Sequence, residues 1–339
     1  MILLTNLLVT LLISFFLVFI CKKKSILVHN IGEIHQNFIK SEQTPLIGGI
    51  IFFIYFLLDS KNLSFLHLFL FLILFVGILS DSRKIISAKL RLLIQFSIVL
   101  FFITSFDLSI TTTRINILDL LLNNYYLSIL FTALCVLIII NGINFIDGSN
   151  LIAIGYLISI ELVFIILNFK GLRFDEIIFS NRFIAILVII FFLNAFNKLY
   201  IGDGGSYLFG FIFSFKCISL YNLNPNLSPF FIAVILWYPA FEIFFSILRK
   251  LNFNRSPLQP DSNHLHQLIY LYLSKKISND IIRSGLVGII LNICNLIIFL
   301  ISLTNIYNSQ FQIILLIFSV SFYVFVYIRL LRFKLKKNF

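Results

Sequence analysis

Four aspartates and two histidines stand in polar segments between long apolar runs, and their types are suited to chemistry. They are Asp81, Asp147, Asp203, Asp261, His264 and His266. Carboxylate oxygens are hard ligands for Mg²⁺, which usually takes one or two of them together with substrate phosphates. The chain has only 14 acidic residues, so four of them in these segments form a marked concentration. The residue types predict a magnesium-dependent site that acts on phosphate groups.

Asp203 is the leading candidate for a metal ligand because it stands in the glycine-rich segment Ile201–Ser206. Glycines let backbone amides approach a phosphate closely where a helix begins. Gly204 is therefore predicted to bind substrate. The alternative for the aspartate is an ordinary helix cap, but the flanking glycines and the companion aspartate loops favour the metal.

The segment Asn141–Asn150 contributes a second set of polar side chains. Asn144 and Asp147 are about one helical turn apart and can face one pocket. Asp147 is predicted as the second metal ligand, and Asn144 and Asn150 as substrate contacts. A simple turn at the mouth of the next helix is the alternative for Asp147.

Both histidines stand in a further polar segment, Arg255–Gln267. His264 and His266 are two residues apart and can reach one pocket from an extended turn. Zinc would need Cys partners or an HExxH pattern, and the sequence has neither beside them, so anion binding or proton transfer is predicted. Arg255 is predicted to clamp a phosphate, and Asp261 of the same segment is predicted to contact substrate. A topological anchor is the alternative for Arg255. Lys89 and Arg91 of an earlier segment are interpreted first as topological anchors, with a phosphate contact as the second interpretation for Lys89.

The elements that position these residues are membrane helices. Hydrophobic residues make up 60% of the chain and charged residues 12%, with a mean hydropathy of +1.04, whereas soluble domains carry about 25% charged residues. The sequence predicts an all-α polytopic membrane protein with a single transmembrane domain over 1–339. About eleven spans are expected near 2–20, 45–58, 63–79, 91–106, 125–140, 151–168, 183–197, 206–221, 229–248, 284–303 and 311–328.

Basic residues set the predicted orientation. Most of the 26 Lys and Arg residues fall in the loops after odd-numbered spans and in the C-terminal tail. The positive-inside rule then places these loops and the C-terminus in the cytosol and the N-terminus outside. The net charge of +12 therefore reflects topology and not nucleic-acid binding. The five cytosolic loops are predicted near 36–49, 80–95, 141–150, 197–206 and 249–283.

Individual residues within the spans, and one segment between them, also lead to predictions. Pro239 is predicted to kink its helix. Glu161, Lys216 and Glu242 fall inside predicted spans, where charge is costly. Glu242 is expected to line the cleft, whereas no role is assigned to Glu161. The segment 107–124 alternates Ile with polar residues and predicts a small hairpin on the outer surface.

The polar segments resemble, in order and spacing, those of the polyprenyl-phosphate N-acetylhexosamine-1-phosphate transferases. The likeness extends over about 36–270. Asn141–Asn150 resembles that family's N-x-x-N-x-x-D-G-x-[ND] loop, and Ile201–Ser206 resembles its G-D-x-G-[SA] loop. Arg255–His266 is similar to its R-S-P-x-x-P-D-x-x-H-L-H loop.

The resemblance implies attack by an undecaprenyl or other polyprenyl phosphate on the β-phosphorus of a UDP-N-acetylhexosamine, with release of UMP. It implies Mg²⁺ held by Asp203, with Mn²⁺ as the alternative ion. Asp147 and Asn144 would line the metal and nucleotide pocket, and His264 and His266 would contact the diphosphate. An inner (plasma) membrane enzyme with a cytosolic active site follows, and a homodimer is implied.

Two departures from the family pattern matter. The family commonly has an Asp-Asp pair where this chain has Ser80-Asp81, so Asp81 must suffice as the catalytic carboxylate there. Gln267 replaces a third histidine that some members carry, which favours the GlcNAc-1-phosphate transferase branch. An inactive homologue that binds lipid or nucleotide is one alternative. A transporter or flippase is another, disfavoured because the polar residues gather in loops on one face.

Overall fold

A computed structural model describes residues 2–28, 44–60, 63–84, 87–175, 183–252 and 263–336. Apart from two isolated β-bridges, regular structure in these ranges is helical. The described helices are α1 (Ile2–Lys24), α2 (Gly48–Asp59), α3 (Phe65–Asp81), α4 (Ala88–Phe106), α5 (Asn116–Leu122), α6 (Tyr125–Ile146), α7 (Ile152–Phe169), α8 (Phe183–Ala195), α9 (Gly202–Leu223), α10 (Pro229–Ile235), α11 (Trp237–Asn252), α12 (Leu265–Leu273), α13 (Asp280–Ser302) and α14 (Ser309–Lys336).

The predicted spans all fall on described helices, with 229–248 falling on the pair α10 and α11. Six helices are long and apolar enough to cross a bilayer, namely α1, α4, α6, α7, α13 and α14. The pair α10 and α11 is a seventh candidate, bent by 73°, and α2, α3 and α8 are apolar but shorter. The prediction of an all-helical polytopic membrane protein is confirmed.

The predicted kink at Pro239 is confirmed as the break between α10 and α11, at Leu236. Proline has no N–H, and its ring collides with the carbonyl four residues earlier, which here is that of Ile235. The Tyr156 hydroxyl of α7 donates a hydrogen bond to this carbonyl at 2.5 Å. A side chain from a neighbouring helix therefore satisfies the backbone group that the proline leaves unpaired.

The hairpin predicted in 107–124 is wrong, because this stretch contains an extended segment followed by the short helix α5. The extended part packs on α6, where the Ile110 N–H donates to Thr132 Oγ1 at 2.8 Å. Asp119 Oδ1 accepts from both the N–H and the hydroxyl of Thr113 at 2.6 Å, just before α5. Contacts with α6 therefore take the place of a second strand.

α9 is the central helix of the bundle, and its residues from Gly204 to Tyr221 are all buried. It packs against α3 and α6, with α2 alongside. A Cβ added to Gly77 of α3 would lie 2.3 Å from Gly204 Cα, and one added to Gly49 of α2 would lie 2.4 Å from Gly205 Cα. Glycine therefore brings three helices into backbone contact at the first turn of α9.

A buried ion pair lies farther along α9. Lys216 Nζ contacts the Glu161 carboxylate of α7 at 2.6 and 2.8 Å. Both residues are buried, with 4% and 0% of their surface exposed. The ammonium lies 4.9 to 5.3 Å from the ring centroids of Phe164, Phe183 and Phe213. The charge that the sequence placed inside a span is thus neutralised by a partner and surrounded by aromatic faces.

Candidate active site at the first turn of α9

Asp203 lies in the first turn of α9, and side chains from three other helices bind its carboxylate. Oδ1 accepts a hydrogen bond from Asn144 Nδ2 of α6 at 2.6 Å. Oδ2 accepts from Ser80 Oγ of α3 at 2.5 Å and from Arg91 Nη1 of α4 at 3.2 Å. Ile201 occupies the N-cap position, so the ordinary capping role does not apply to Asp203. Its side chain is 28% exposed and therefore accessible to a ligand.

Asp81 caps α9 from the end of α3. Its Oδ1 accepts from the backbone N–H of Asp203 at 2.9 Å, and its Oδ2 from the N–H of Gly204 at 3.0 Å. The unpaired N–H groups and positive dipole of a helix start favour a carboxylate there. Gly202 gives it room, since φ is +75° there and a Cβ would lie 2.8 Å from Asp81 Oδ2. Asp81 therefore holds Asp203 in place, and the Gly204 amide binds Asp81.

Asp147 is the C-cap residue of α6 and approaches α9 beside Asp203. Its Oδ2 accepts from Ser206 Oγ at 3.2 Å. Burial raises the pKa of Asp147 well above its ordinary value, the Ser206 bond lowers it, and the Asp203 charge raises it again. Burial also raises the pKa of Asp81, and the Asp203 charge adds to that rise. Both groups lie at helix ends beyond the predicted spans, where a bound cation would stabilise their ionised forms.

These donors suit Mg²⁺. Among the described residues, no three His, Cys, Asp or Glu side chains form a complete metal site of their own. Mg²⁺ does not need one, since it commonly binds one or two carboxylates and completes its shell with waters and substrate phosphates. Asp203 and Asp147 match that requirement, whereas a structural zinc site would need four Cys or His ligands.

Both histidines lie at the start of α12. The rings of His264 and His266 are stacked, with centroids 5.6 Å apart and planes 8° from parallel. His264 Nδ1 lies 2.9 Å from Glu242 Oε1 of α11. A Cβ added to Gly148 would lie 2.3 Å from His266 Nε2, so glycine leaves room for this ring beside the Asp147 loop. The predicted histidines and this aspartate loop therefore do meet.

The first and fourth predicted loops pair through their backbones. Leu46 and Tyr200 form a parallel β-bridge. The Tyr200 N–H donates to the Pro45 carbonyl at 2.8 Å, and the Gly48 N–H donates to the Tyr200 carbonyl at 3.0 Å. This pairing fixes the start of α2 against the segment that leads into α9.

Asn150, predicted to contact substrate, lies buried behind the site. Its Nδ2 donates to the Asn194 carbonyl at 3.2 Å and to Asn197 Oδ1. Its backbone N–H donates to Ser284 Oγ at 2.9 Å. These bonds tie the loop after α6 to the end of α8 and to α13.

The remaining predicted contacts are not brought to Asp203 in the described part of the chain. Lys89 is exposed near the start of α4. Arg255 and Asp261 lie outside the described residues, so their substrate contacts remain predictions.

Arg91, which the sequence pattern assigned only to topology, binds the Asp203 carboxylate. Besides its bond to Asp203, its Nη1 donates to Ser80 Oγ. A signal was present in the sequence, because Gln95 follows Arg91 by one helical turn inside an apolar run. Gln95 is fully buried and accepts from Asn141 Nδ2 at 3.1 Å. The polar face of α4 therefore contains Arg91.

Comparison with known proteins gives a family match over part of the chain. Residues 63–221 match the family described as Glycosyl transferase family 4. A probable undecaprenyl-phosphate N-acetylglucosaminyl 1-phosphate transferase of Bacillus subtilis (strain 168) is 27% identical over 240 residues, which cover 67% of this chain and 63% of the relative. An undecaprenyl-phosphate alpha-N-acetylglucosaminyl 1-phosphate transferase of Salmonella typhi is 29% identical over 282 residues, covering 76% of this chain and 75% of the relative. A decaprenyl-phosphate N-acetylglucosaminephosphotransferase of Mycolicibacterium smegmatis is 29% identical over 160 residues, covering 41% and 39%.

Over residues 63–221, just under half of its length, the chain is similar to glycosyl transferase family 4.

The resemblance seen in the motifs is thus confirmed, with relatives of the GlcNAc branch. The matched part of the chain includes the whole Asp203 environment from α3, α4, α6 and α9. The histidine pair and Glu242 lie beyond residue 221, so their place in the site rests on geometry. The alignment with the Bacillus subtilis relative spans just under two thirds of that protein's length.

Proposed function

We propose that this protein transfers an N-acetylhexosamine 1-phosphate from a UDP-sugar to undecaprenyl phosphate or a related polyprenyl phosphate, releasing UMP. The observation that carries the proposal is the convergence of three helices on the Asp203 carboxylate, with Asp147 beside it. The names of the relatives, which pair a polyprenyl phosphate with N-acetylglucosamine, support the same reaction.

The chain's own residues divide the work. Asp203 and Asp147 would hold Mg²⁺, with Mn²⁺ as the alternative, and the bound ion would neutralise charge on the diphosphate. Asp81 fixes Asp203 by capping α9, and Arg91 lies where it can contact a phosphate oxygen. The second pKa of a phosphate monoester is about 6, so the lipid phosphate is largely ionised at neutral pH. A strong base is unnecessary, which explains how a serine is tolerated at position 80.

The proposed setting is the inner (plasma) membrane, with eleven spans forming a single transmembrane domain, the N-terminus outside and the active site cytosolic. The ends of α3 and α6 and the starts of α4 and α9 meet at one site, which supports a common face for their loops. Basic residues at the ends of α1 and α14 support a cytosolic location for those ends. A membrane-impermeant maleimide should label a Ser82→Cys variant only after the membrane is permeabilised. The homodimer stays a prediction.

A transfer assay tests the function. Purified protein in detergent, given radiolabelled UDP-GlcNAc, undecaprenyl phosphate and Mg²⁺, should yield labelled lipid and UMP. A chelator should abolish the product, and Asp203→Asn should lower the rate of its formation by about 1,000-fold. Asp107→Asn, at the opposite end of α4, is the matched control and should leave it intact.

Product that persists unchanged in Asp203→Asn would contradict the site. Nucleotide binding without product from any UDP-N-acetylhexosamine would favour the inactive homologue. Movement of intact lipid across vesicles without covalent product would favour a flippase.

A further inference from the structure

Glu242 is a carboxylate buried beside the active site, and the proposed reaction assigns it no role. It lies on α11, about three turns before the end of that helix, and none of its surface is exposed. An isolated buried carboxylate is costly unless hydrogen bonds and charge compensate it. The side chains that bind the Glu242 carboxylate therefore indicate its role.

Both oxygens of Glu242 have a partner from another helix. Oε1 lies 2.9 Å from His264 Nδ1 at the start of α12. Oε2 accepts a hydrogen bond from the Tyr323 hydroxyl of α14 at 2.5 Å. A carboxylate accepts and does not donate, so this arrangement requires the proton on Nδ1 of the imidazole. The hydrogen bond at one ring nitrogen decides which nitrogen remains for chemistry.

The contacts continue from His264 to the aspartate loop. His264 stacks on His266, and His266 reaches Gly148, the residue after Asp147. A path of direct contacts thus leads from the C-terminal helix α14 to a proposed metal ligand. α14 begins at Ser309, far beyond the segment that matches the family.

We infer that Glu242 and Tyr323 are positioning residues that hold His264 with its proton on Nδ1, so that Nε2 is the nitrogen presented to the substrate phosphates. Tyr323 orients the carboxylate, and the carboxylate orients the ring. α14 is on this account a working part of the active site and not only a lipid-facing helix. What the ring binds rests on the proposed function, whereas its orientation does not.

α14 supplies a matched control. Tyr327 stacks on Tyr323 with planes 5° from parallel and is also buried. Its hydroxyl accepts from Arg249 Nη1 at 3.4 Å, whereas the Glu242 oxygens bind His264 and Tyr323. Tyr327→Phe therefore removes the same atom one turn away on the same helix, without touching the Glu242 carboxylate.

The first experiment records the ¹⁵N chemical shifts of the histidine ring nitrogens on the full chain in detergent, at pH 8 and without substrate. His264→Asn assigns the His264 signals among the five histidines. We expect a protonated Nδ1 in the wild type and in Tyr327→Phe. Glu242→Gln should shift the ring population toward the Nε2–H tautomer. A wild-type ring with a bare Nδ1, or no change in Glu242→Gln, would overturn the inference.

The second experiment uses the transfer assay. Changes to groups that orient a ligating side chain typically cost about 10- to 100-fold in activity. We expect Glu242→Gln to lower kcat by that factor, and Tyr323→Phe by up to about tenfold, with the KM for UDP-sugar within about twofold. Glu242→Asp should recover part of the loss. In a His264→Asn background, Glu242→Gln should cost nothing further, because contacting residues are not additive.

Each outcome decides. A full additional loss in the His264→Asn background, or equal effects of Tyr323→Phe and Tyr327→Phe, would overturn the inference. If Glu242→Gln fails to fold, the comparison of the two tyrosine variants still tests it. If the wild type makes no product, the proposed function fails by itself, and the ring-nitrogen spectra still decide the orientation of His264.

Discussion

The two ends of α9 hold charge in opposite ways. At its first turn, Asp203 is 28% exposed and receives hydrogen bonds from three different helices. Deeper in the same helix, Lys216 is buried and bound to both oxygens of Glu161. The first charge has neighbours on three separate helices, whereas the second contacts the Glu161 carboxylate and lies among aromatic rings.

This difference indicates which of the two charges is suited to chemistry and which stabilises the fold. A buried pair cannot lose one member without leaving an uncompensated charge in a dry interior. Asp203 can exchange Arg91 or Ser80 for an incoming cation, because it is partly open to solvent and its partners lie on separate helices. Asp203 is therefore the charge suited to binding ligands, and Lys216 the charge that sets α9 against α7.

Replacing Asp203 tests the site at the first turn of α9 and should have the largest effect on transfer activity. Asp203→Asn keeps the shape of the side chain but removes its charge. Loss of one such electrostatic group costs about 100- to 1,000-fold in kcat, and we expect the upper figure in the transfer assay. The unfolding midpoint in detergent should stay within a few degrees. A large loss of stability would show that Asp203, like Lys216, mainly stabilises the fold.

Breaking the buried pair should do the reverse. Lys216→Met leaves Glu161 unpaired and should lower the free energy of unfolding by about 3–5 kcal/mol. Activity per folded molecule should persist. The single tryptophan, Trp237, reports unfolding by fluorescence. Adding Glu161→Leu to Lys216→Met should restore stability, and failure to do so would mean that packing matters more than charge.

Asp81 should give an intermediate effect. Asp81→Asn can accept from only one of the two N–H groups that the carboxylate binds, so Asp203 loses its fixed position. We expect an activity loss of about 10- to 100-fold, as for other groups that orient a ligand. The Mg²⁺ concentration for half-maximal rate should also rise, as measured by metal titration. A loss of rate with an unchanged metal requirement would instead support a direct catalytic role for Asp81.

The smallest predicted effect distinguishes two basic residues of α4. Arg91→Ala should lower activity by about tenfold, in line with the weaker group effects above, since it removes the guanidinium beside Asp203. Lys89→Ala should change it by less than about twofold. Steady-state kinetics on both variants measures this, and the opposite ranking would restore the sequence-based assignment of Lys89.

Much of this arrangement could be predicted because it depends on local sequence. Apolar length marked the helices, Pro239 marked the bend, and the polar segments marked the end of the bundle where Asp203, Asp147 and the histidines meet. These features need only composition and spacing. The number of membrane spans is harder to predict from the sequence, because α2, α3 and α8 are apolar but short.

The rest depends on which face of a helix turns inward. Helices that are apolar all round give little sign of their buried side. Lys89 was therefore preferred over Arg91, although the register of α4 selects Arg91. Asn150 was expected to face substrate but binds α8 and α13 instead, and Tyr323 lies in a run of apolar residues with no motif at all. Contacts between residues so far apart in sequence are not encoded by local pattern.

The Glu161–Lys216 pair also bears on how the chain is made. Glu161 is synthesised with α7, whereas Lys216 follows only with α9, after α8 has been added. Until Lys216 has been synthesised, the Glu161 carboxyl group has to be protonated or shielded from lipid, because an unpaired charge is costly there. We therefore expect stable integration of α7 to depend on α9, a helix that is translated later.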